Sequence, residues 1–216
     1  MTDGDAYLKF PKLRHFYNKL WLSEHLGYYC GPAGIGPPES NHYIVRPIMN
    51  LSGMGVGSSR MWIDAGDTTK VPPGYFWCEL FEGRHLSITY QLADDMTYEP
   101  KHSYEGFKDS SGTFLEWKLT SDTIELPRWV QKQIAQGNVS VCNAEFIGPR
   151  LIEVHLRDTP DPLVDSMFPV WKGDTIMVDK LSKLGYSYLN SYDDADGFLT
   201  TPRLGFMIKT KENDYE

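Results

Sequence analysis

Two carboxylates, an imidazole and a guanidinium crowd into the stretch from Asn143 to Arg157, as Glu145, Glu153, His155 and Arg157, with Gly148-Pro149 between the two acids. Gly-Pro is a turn signal, so the flanking segments 139–147 and 151–156 read as the strands of a hairpin. Strand side chains alternate between faces. Glu153, His155 and Arg157 therefore share one face, Ile152, Val154 and Leu156 the other, and the turn carries Glu145 onto the neighbouring strand. Such a face can ligate Mg²⁺ or Mn²⁺ that bridges to phosphate oxygens. It can equally be a solvated sheet face with an Arg–Glu pair.

A second constellation is Ser52-Gly53-Met54-Gly55-Val56-Gly57-Ser58-Ser59, set between two strand-like segments. Glycines at alternate positions let successive N–H groups point into one concavity that suits phosphate, and Ser58 and Ser59 add hydroxyl donors. No Gly-Lys-Ser/Thr follows, and a strand rather than a helix comes next, so this is neither a Walker loop nor a dinucleotide fingerprint. A plain flexible turn has the same composition. Arg46 lies seven residues ahead of Gly53, within reach of phosphates held by such a loop, though a solvent-facing arginine fits that position as well.

These residues need elements to hold them. Residues 11–26 have the apolar spacing of one amphipathic helix (Leu13, Phe16, Tyr17, Leu20, Trp21), ended by Gly27. Strands are predicted at 43–49, 60–64, 75–81, 85–92 and 114–119, with the Glu82-Gly83 turn joining the third and fourth. Residues 94–112 are polar, without a period, and read as a loop; 127–136 reads as a short helix. Further strands are expected at 174–179, 186–189 and 203–209, and Asp193, Asp194 and Asp196 form an acidic turn. Many strands and few helices predict an α+β protein with mostly antiparallel sheets.

Bulk properties narrow the function. The 216 residues suffice for one large domain or two small lobes about a cleft. A net charge of −8 argues against nucleic-acid backbone binding while leaving room for a small anionic ligand. No apolar run is long enough to span a bilayer, and residues 1–6 carry acids rather than a secretory core, so the expected location is the cytoplasm. Cys30, Cys78 and Cys142 lack metal or disulfide spacing and read as buried thiols.

Taken in order, the elements resemble the ATP-grasp superfamily over roughly residues 10–165. VRPIMNLSGMGVGSS is similar to that family's strand with its phosphate-binding cation and glycine loop. CELFEGRHLS, from Cys78 to Ser87, resembles the E-E-F-L-x-G-x-E-x-S hinge that meets adenine and ribose. Glu145-Phe146 with LIEVHLR, from Leu151 to Arg157, resembles the metal-binding strand pair, and Asn18-Lys19-Leu20 resembles a D-K-L segment.

The resemblance implies an ATP-grasp-like α+β fold of two small lobes enclosing a nucleotide cleft. It divides the chain into an N-terminal helix and connector at 1–40, one lobe at 41–82, a second at 83–165, and a C-terminal, substrate-side segment at 166–216. It gives Arg46 the α- or β-phosphate and Gly53, Gly55, Gly57 and Ser58 the phosphate cover. Glu79, Leu80 and Phe81 would face adenine, with Trp77 beside them, and His85 would take the place of the ribose-contacting acid. Glu145, Glu153 and His155 would hold Mg²⁺, or Mn²⁺, and Arg157 would orient the transferred phosphate or the substrate carboxylate. Arginine replaces the usual lysine at position 46, as in a clade of small, largely phage-borne ATP-grasp families where a lysine elsewhere compensates; Lys118 is the candidate here. Histidine at 155 replaces the usual metal-binding asparagine.

The expected partners are ATP and a small carboxylate with an amine, or a peptide or protein acceptor. On this resemblance, the N-terminal part is expected to be too short for the substrate-binding domain that precedes most of the family's catalytic regions. The expected activity is an ATP-dependent carboxylate–amine ligase working through an acyl phosphate, in a host cytoplasm if phage-borne. A degenerate nucleotide-binding fold serving as a viral structural or regulatory protein is the alternative.

Overall fold

The computed structural model describes residues 1–51, 55, 57–110, 112–190 and 203–209. The chain divides into two compact units, Met1–Lys101 with Thr123–Thr159, and His102–Asp122 with Pro160–Glu216. The acidic turn at Asp193, Asp194 and Asp196 lies outside the described residues.

The first unit holds two antiparallel sheets. One has the order β1 (Cys30–Pro32), β4 (Tyr75–Glu79), β2 (Asn41–Pro47), β3 (Ser59–Ile63). In the other, β5 (His85–Leu92) pairs with β8 (Val141–Ile147), and β8 with β9 (Arg150–His155). Helix α1 (Asp3–Lys9), a 3₁₀ turn (Pro11–Tyr17), helix α2 (Lys19–His25) and helix α3 (Arg128–Gln136) complete it. Its larger core joins Phe16 and Leu22 to Ile88, Tyr90, Ile134, Phe146 and Val154, and a smaller core gathers Tyr43, Val45, Ile63 and Trp77 on the first sheet. The residues whose period predicted a buried face, Val154 and Leu156, are indeed at 2% and 0% exposure.

In the second unit the antiparallel order is β6, β7 (Phe114–Thr120), β10 (Ser166–Trp171), β12 (Arg203–Ile208), β11 (Ser187–Asn190), with α4 at Thr175–Lys183. Strand β6 (Tyr98–Lys108) starts in the first unit and runs into this one. Tyr104, Trp117, Met167, Phe206 and Ile208 form its core. The fold class is thus α+β with antiparallel sheets. Among the described residues no helix is long and apolar enough to cross a membrane. Cys78 and Cys142 are buried and Cys30 partly so; all are free thiols, and burial pushes the Cys78 thiol up to about 11.

Three segments assigned from sequence take a different form. The single helix over 11–26 is broken: Asn18 takes an extended backbone, its side chain accepts from the Trp21 N–H to cap α2, and its backbone bridges Met49. An N-cap costs a continuous helix but starts a new one on a different axis. The loop expected over 94–112 contains β6, whose exposed Glu99, Pro100 and Lys101 mask a strand that buries Tyr98, Ser103 and Tyr104. The strand expected over 174–179 is α4, because a short run such as Ile176-Met177-Val178 carries no decisive period.

The Glu82-Gly83 turn joins two different sheets rather than a hairpin, since β4 belongs to the first and β5 to the second. Gly83 sits at φ +126°, and a Cβ there would lie 2.7 Å from the Cα of Gly148 in the β8–β9 turn. The Gly148 N–H donates to Arg84 O at 2.9 Å, closing the two turns on each other. Gly83→Ala should therefore cost roughly 2 kcal/mol or more. Gly66→Ala, also at positive φ but with no atom in the way, should cost about 1 kcal/mol. Urea unfolding midpoints test the order.

Candidate functional site

The β8–β9 register sets Glu145 directly opposite Glu153, with a bulge immediately after Glu145. Paired side chains share a face, so the two carboxylates stand side by side without any help from loops. His155, two residues along the same face, turns Nε2 toward both, 3.8 Å from Glu145 Oε1 and 3.6 Å from Glu153 Oε2. Glu145, Glu153 and His155 thereby offer one ligand atom each, all within 4.8 Å of one another.

Cations close in from two other elements. Lys19 Nζ reaches Glu153 Oε1 at 2.6 Å, and Arg46 Nη1 lies 3.6 Å from the same oxygen. Lys19 faces inward because the Asn18 break resets the helix: its N–H donates to Ile48 O at 2.8 Å, fastening the first turn of α2 to the chain just beyond β2. Arg46, one residue before the end of β2, also donates to Ile152 O at 3.4 Å. Both cations are buried, at 6% and 7% exposure, so neither behaves as a surface charge. Arg46 Nε is buried with no hydrogen-bond partner among the described residues, a donor suited to an incoming anion.

Behind His155 stands Asp3 of α1. Its Oδ2 accepts from His155 Nδ1 at 3.0 Å and from Arg157 Nη2 at 2.6 Å. Thr2 and Asp5 form a capping box that fixes the first turn of α1, and Ala6 buries the helix in the core. Burial works against the Asp3 charge, but His155 and Arg157 outweigh it and bring the carboxyl down to about 2. Burial likewise opposes charge on His155, yet Asp3 and Glu145 hold its proton and raise it to about 10. Glu145 is kept well below the usual carboxylate range, its burial being outweighed by the two histidines beside it, His155 and His85. His85 Nε2 lies 2.9 Å from Glu145 Oε2.

The structure thus gathers Arg46, His85, Glu145, Glu153 and His155, with Arg157 one contact away through Asp3. His85, expected at a ribose, hydrogen-bonds Glu145, the candidate metal ligand. Glu79 spends its carboxylate on the Tyr29 N–H at 2.9 Å. Leu80 and Phe81 are half-buried; Phe81 packs edge-on against Tyr28, and the Arg150 guanidinium lies over both rings. Trp77 is a core residue whose indole donates to Ile35 O at 2.7 Å. Gly55 and Gly57 take positive φ, and the Ser58 N–H donates to Gly55 O, closing a tight turn. A Cβ on Gly57 would strike the Tyr75 hydroxyl at 2.9 Å. Gly53 lies outside the described residues. Lys118 belongs to the second unit, half exposed and paired with Glu116 at 3.3 Å. Sequence reasoning passed over Lys19 and Asp3 as site residues. The Asn18 cap ahead of Lys19 was a readable signal; nothing local marks Asp3.

Several solved structures share this architecture. N5-Carboxyaminoimidazole synthetase from Staphylococcus aureus, complexed with ADP, matches with a TM-score of 0.54 at 11% identity, covering 91% of this chain and 68% of that one. N5-Carboxyaminoimidazole synthase from Aspergillus clavatus, in complex with ADP and 5-aminoimidazole ribonucleotide, matches with a TM-score of 0.50 at 12% identity, covering 92% and 69%. A protein assigned to the ATP-grasp superfamily from Archaeoglobus fulgidus matches with a TM-score of 0.39 at 13% identity, covering 68% of this chain and 47% of that one. No family model and no curated protein sequence matches the chain. The first two likenesses make the fold ATP-grasp-like, and the chain spans 47% to 69% of the length of these proteins.

The depressed Asp3 carboxyl has a stability consequence. Its folded value of about 2 lies below the ordinary 3.8, so its contribution is fully present above about pH 4 and is lost as pH falls toward 2. Asp3→Asn should therefore be destabilising at pH 6, with the gap to wild type closing by roughly 2 kcal/mol between pH 4 and 2. Chemical denaturation across that range measures it; a gap independent of pH would refute the assignment.

Proposed function

We propose that the chain is an ATP-dependent carboxylate–amine ligase whose nucleotide phosphates are met by Lys19 and Arg46 and whose metal is held by Glu145, Glu153 and His155. The observation that carries this reading is the contact of Glu153 with both buried cations while it faces Glu145 across the ladder. Buried cations beside a pair of carboxylates match the needs of a metal–polyphosphate complex, because each phosphate charge requires a fixed counter-charge in a poorly solvated site. The donor set fits a divalent cation: its atoms are spaced for one ion, and the buried Arg46 Nε offers a hydrogen bond beside it. Such an ion would draw electron density from the phosphate oxygens.

The chain's own residues supply the rest. Lys19 is a compact charge held by backbone at both ends, its N–H on Ile48 O and its carbonyl accepting from Ser23 Oγ. It takes the compensating-lysine role expected of Lys118. Arg46 brings a forked donor for two phosphate oxygens. His85 steadies Glu145. Gly55 and Gly57 shape the turn that follows β2, and Glu79 with Phe81 frames the base side. In the reaction, a substrate carboxylate oxygen bonds to the γ-phosphorus as the bond to ADP breaks. An amine then attacks the acyl carbon, forms the amide and releases phosphate. Positioning and charge neutralisation supply most of the acceleration, and no side-chain nucleophile is required.

A second reading is a nucleotide-binding protein without turnover. Asp3 occupies Arg157 Nη2, and a proton-holding His155 stands within the donor set; both favour it. Incubation with Mg-ATP and pooled carboxylates and amines separates the two, because only the ligase releases ADP in proportion to added substrates. Lys19→Met and Arg46→Met should each weaken ATP binding about 10- to 100-fold in calorimetry, the worth of one charge-assisted contact. Full turnover by Glu153→Ala would remove the metal role.

A further inference from the structure

We propose that Asp3 is a positioning residue that presents Nε2 of His155 as a metal ligand, and that the site thereby selects a nitrogen-accepting divalent ion such as Mn²⁺ over Mg²⁺. The inference rests on the ligase reading for the existence of the metal site and goes beyond it in naming what orients the histidine and which ion it favours.

Four observations carry it. First, His155 has one ring nitrogen on Asp3 Oδ2 at 3.0 Å and the other toward Glu145 and Glu153. With Nδ1 held on the Asp3 carboxylate, Nε2 is the ring nitrogen left facing the two acids. Second, the Nε2–carboxylate distances of 3.8 and 3.6 Å are long for hydrogen bonds. They match the separation of two ligands that each stand about 2.1 Å from a common ion, about 3 to 4 Å. Third, Asp3 is itself immobile. Arg157 shares Oδ2 at 2.6 Å, the Thr2–Asp5 capping box fixes the helix start, and Ala6 is fully buried. Fourth, Asp3 is 4% exposed, and its Oδ1 has no hydrogen-bond partner among the described residues. The carboxylate therefore acts through one oxygen, directed at His155 and Arg157. An imidazole ligand suits first-row transition ions better than Mg²⁺, which prefers oxygen donors, and Mn²⁺ is the member of that row that also takes carboxylates readily.

The test uses the full chain and Mn²⁺ as the probe, followed by electron paramagnetic resonance. The wild-type protein should bind Mn²⁺ more tightly than Mg²⁺ displaces it, and pulsed spectra should show coupling to an imidazole nitrogen. Asp3→Asn should weaken Mn²⁺ binding about 10- to 100-fold. In a His155→Asn background the nitrogen coupling should vanish, the preference for Mn²⁺ over Mg²⁺ should shrink, and Asp3→Asn should change affinity less than about twofold. Equal losses from Asp3→Asn in both backgrounds would show a merely structural role. Mn²⁺ bound by the wild type without nitrogen coupling would overturn the inference with no variant needed, leaving the ligase reading intact. Failure of the wild type to bind Mn²⁺ at all would overturn both.

Discussion

Glu153 is a carboxylate 13% exposed at its side chain, and its Oε1 is gripped by Lys19 and approached by Arg46. A charge so placed is tolerable only with its counter-charges in contact, and removing one partner of a buried pair typically costs about 3 to 5 kcal/mol. The three partners come from α2, β2 and β9, so satisfying one carboxylate fixes how a helix, a strand of the first sheet and a strand of the second meet. The backbone bridge from Asn18 to Met49 and the Lys19–Ile48 hydrogen bond serve the same junction. The junction that stabilises the first unit is also the place where phosphate chemistry is proposed.

Around that centre the charges alternate. Arg157 and His155 flank Asp3, His155 and His85 flank Glu145, and Lys19 and Arg46 flank Glu153. Each acid therefore has its counter-charges in contact, and the acids can meet a metal while the cations meet a polyphosphate. The arrangement is also demanding: single substitutions leave an uncompensated charge, whereas paired substitutions that neutralise both partners should be better tolerated. Functional and structural effects of mutation at this site must for that reason be separated by double-mutant comparisons rather than by single losses.

The hairpin that carries the acids was legible from its period of two and its Gly-Pro turn, but that turn alone would pair Glu145 with Ile152; the bulge after Glu145 is what sets it opposite Glu153. The same local logic recovers β5, β7, α3 and the antiparallel α+β class. It fails where tertiary contacts overrule local pattern. Apolar spacing runs unbroken through Asn18, so a single helix was the natural expectation; Asn18 is a capping residue type, but only the bridge to Met49 selects the break over a continuous helix. Strand β6 is concealed by Glu99, Lys101 and Glu105, polar groups that a two-faced strand accepts on its open side. Asp3 lies 152 residues from His155 in sequence, and no spacing rule connects them. Lys118 was chosen for being a lysine on a strand, a property that carries no information about which unit the strand belongs to.

The proposed ligase requires Glu145, Glu153 and the Lys19–Arg46 pair to form one metal–nucleotide site. The most direct measurement is an anomalous difference map, at the manganese edge, from crystals grown with Mn²⁺ and a non-hydrolysable ATP analogue. A peak about 2.2 Å from carboxylate oxygens of both Glu145 and Glu153, with phosphate density touching Lys19 and Arg46, is the result expected. Ordered nucleotide and metal bound elsewhere in the molecule, with the Lys19–Glu153 contact unchanged, would contradict it.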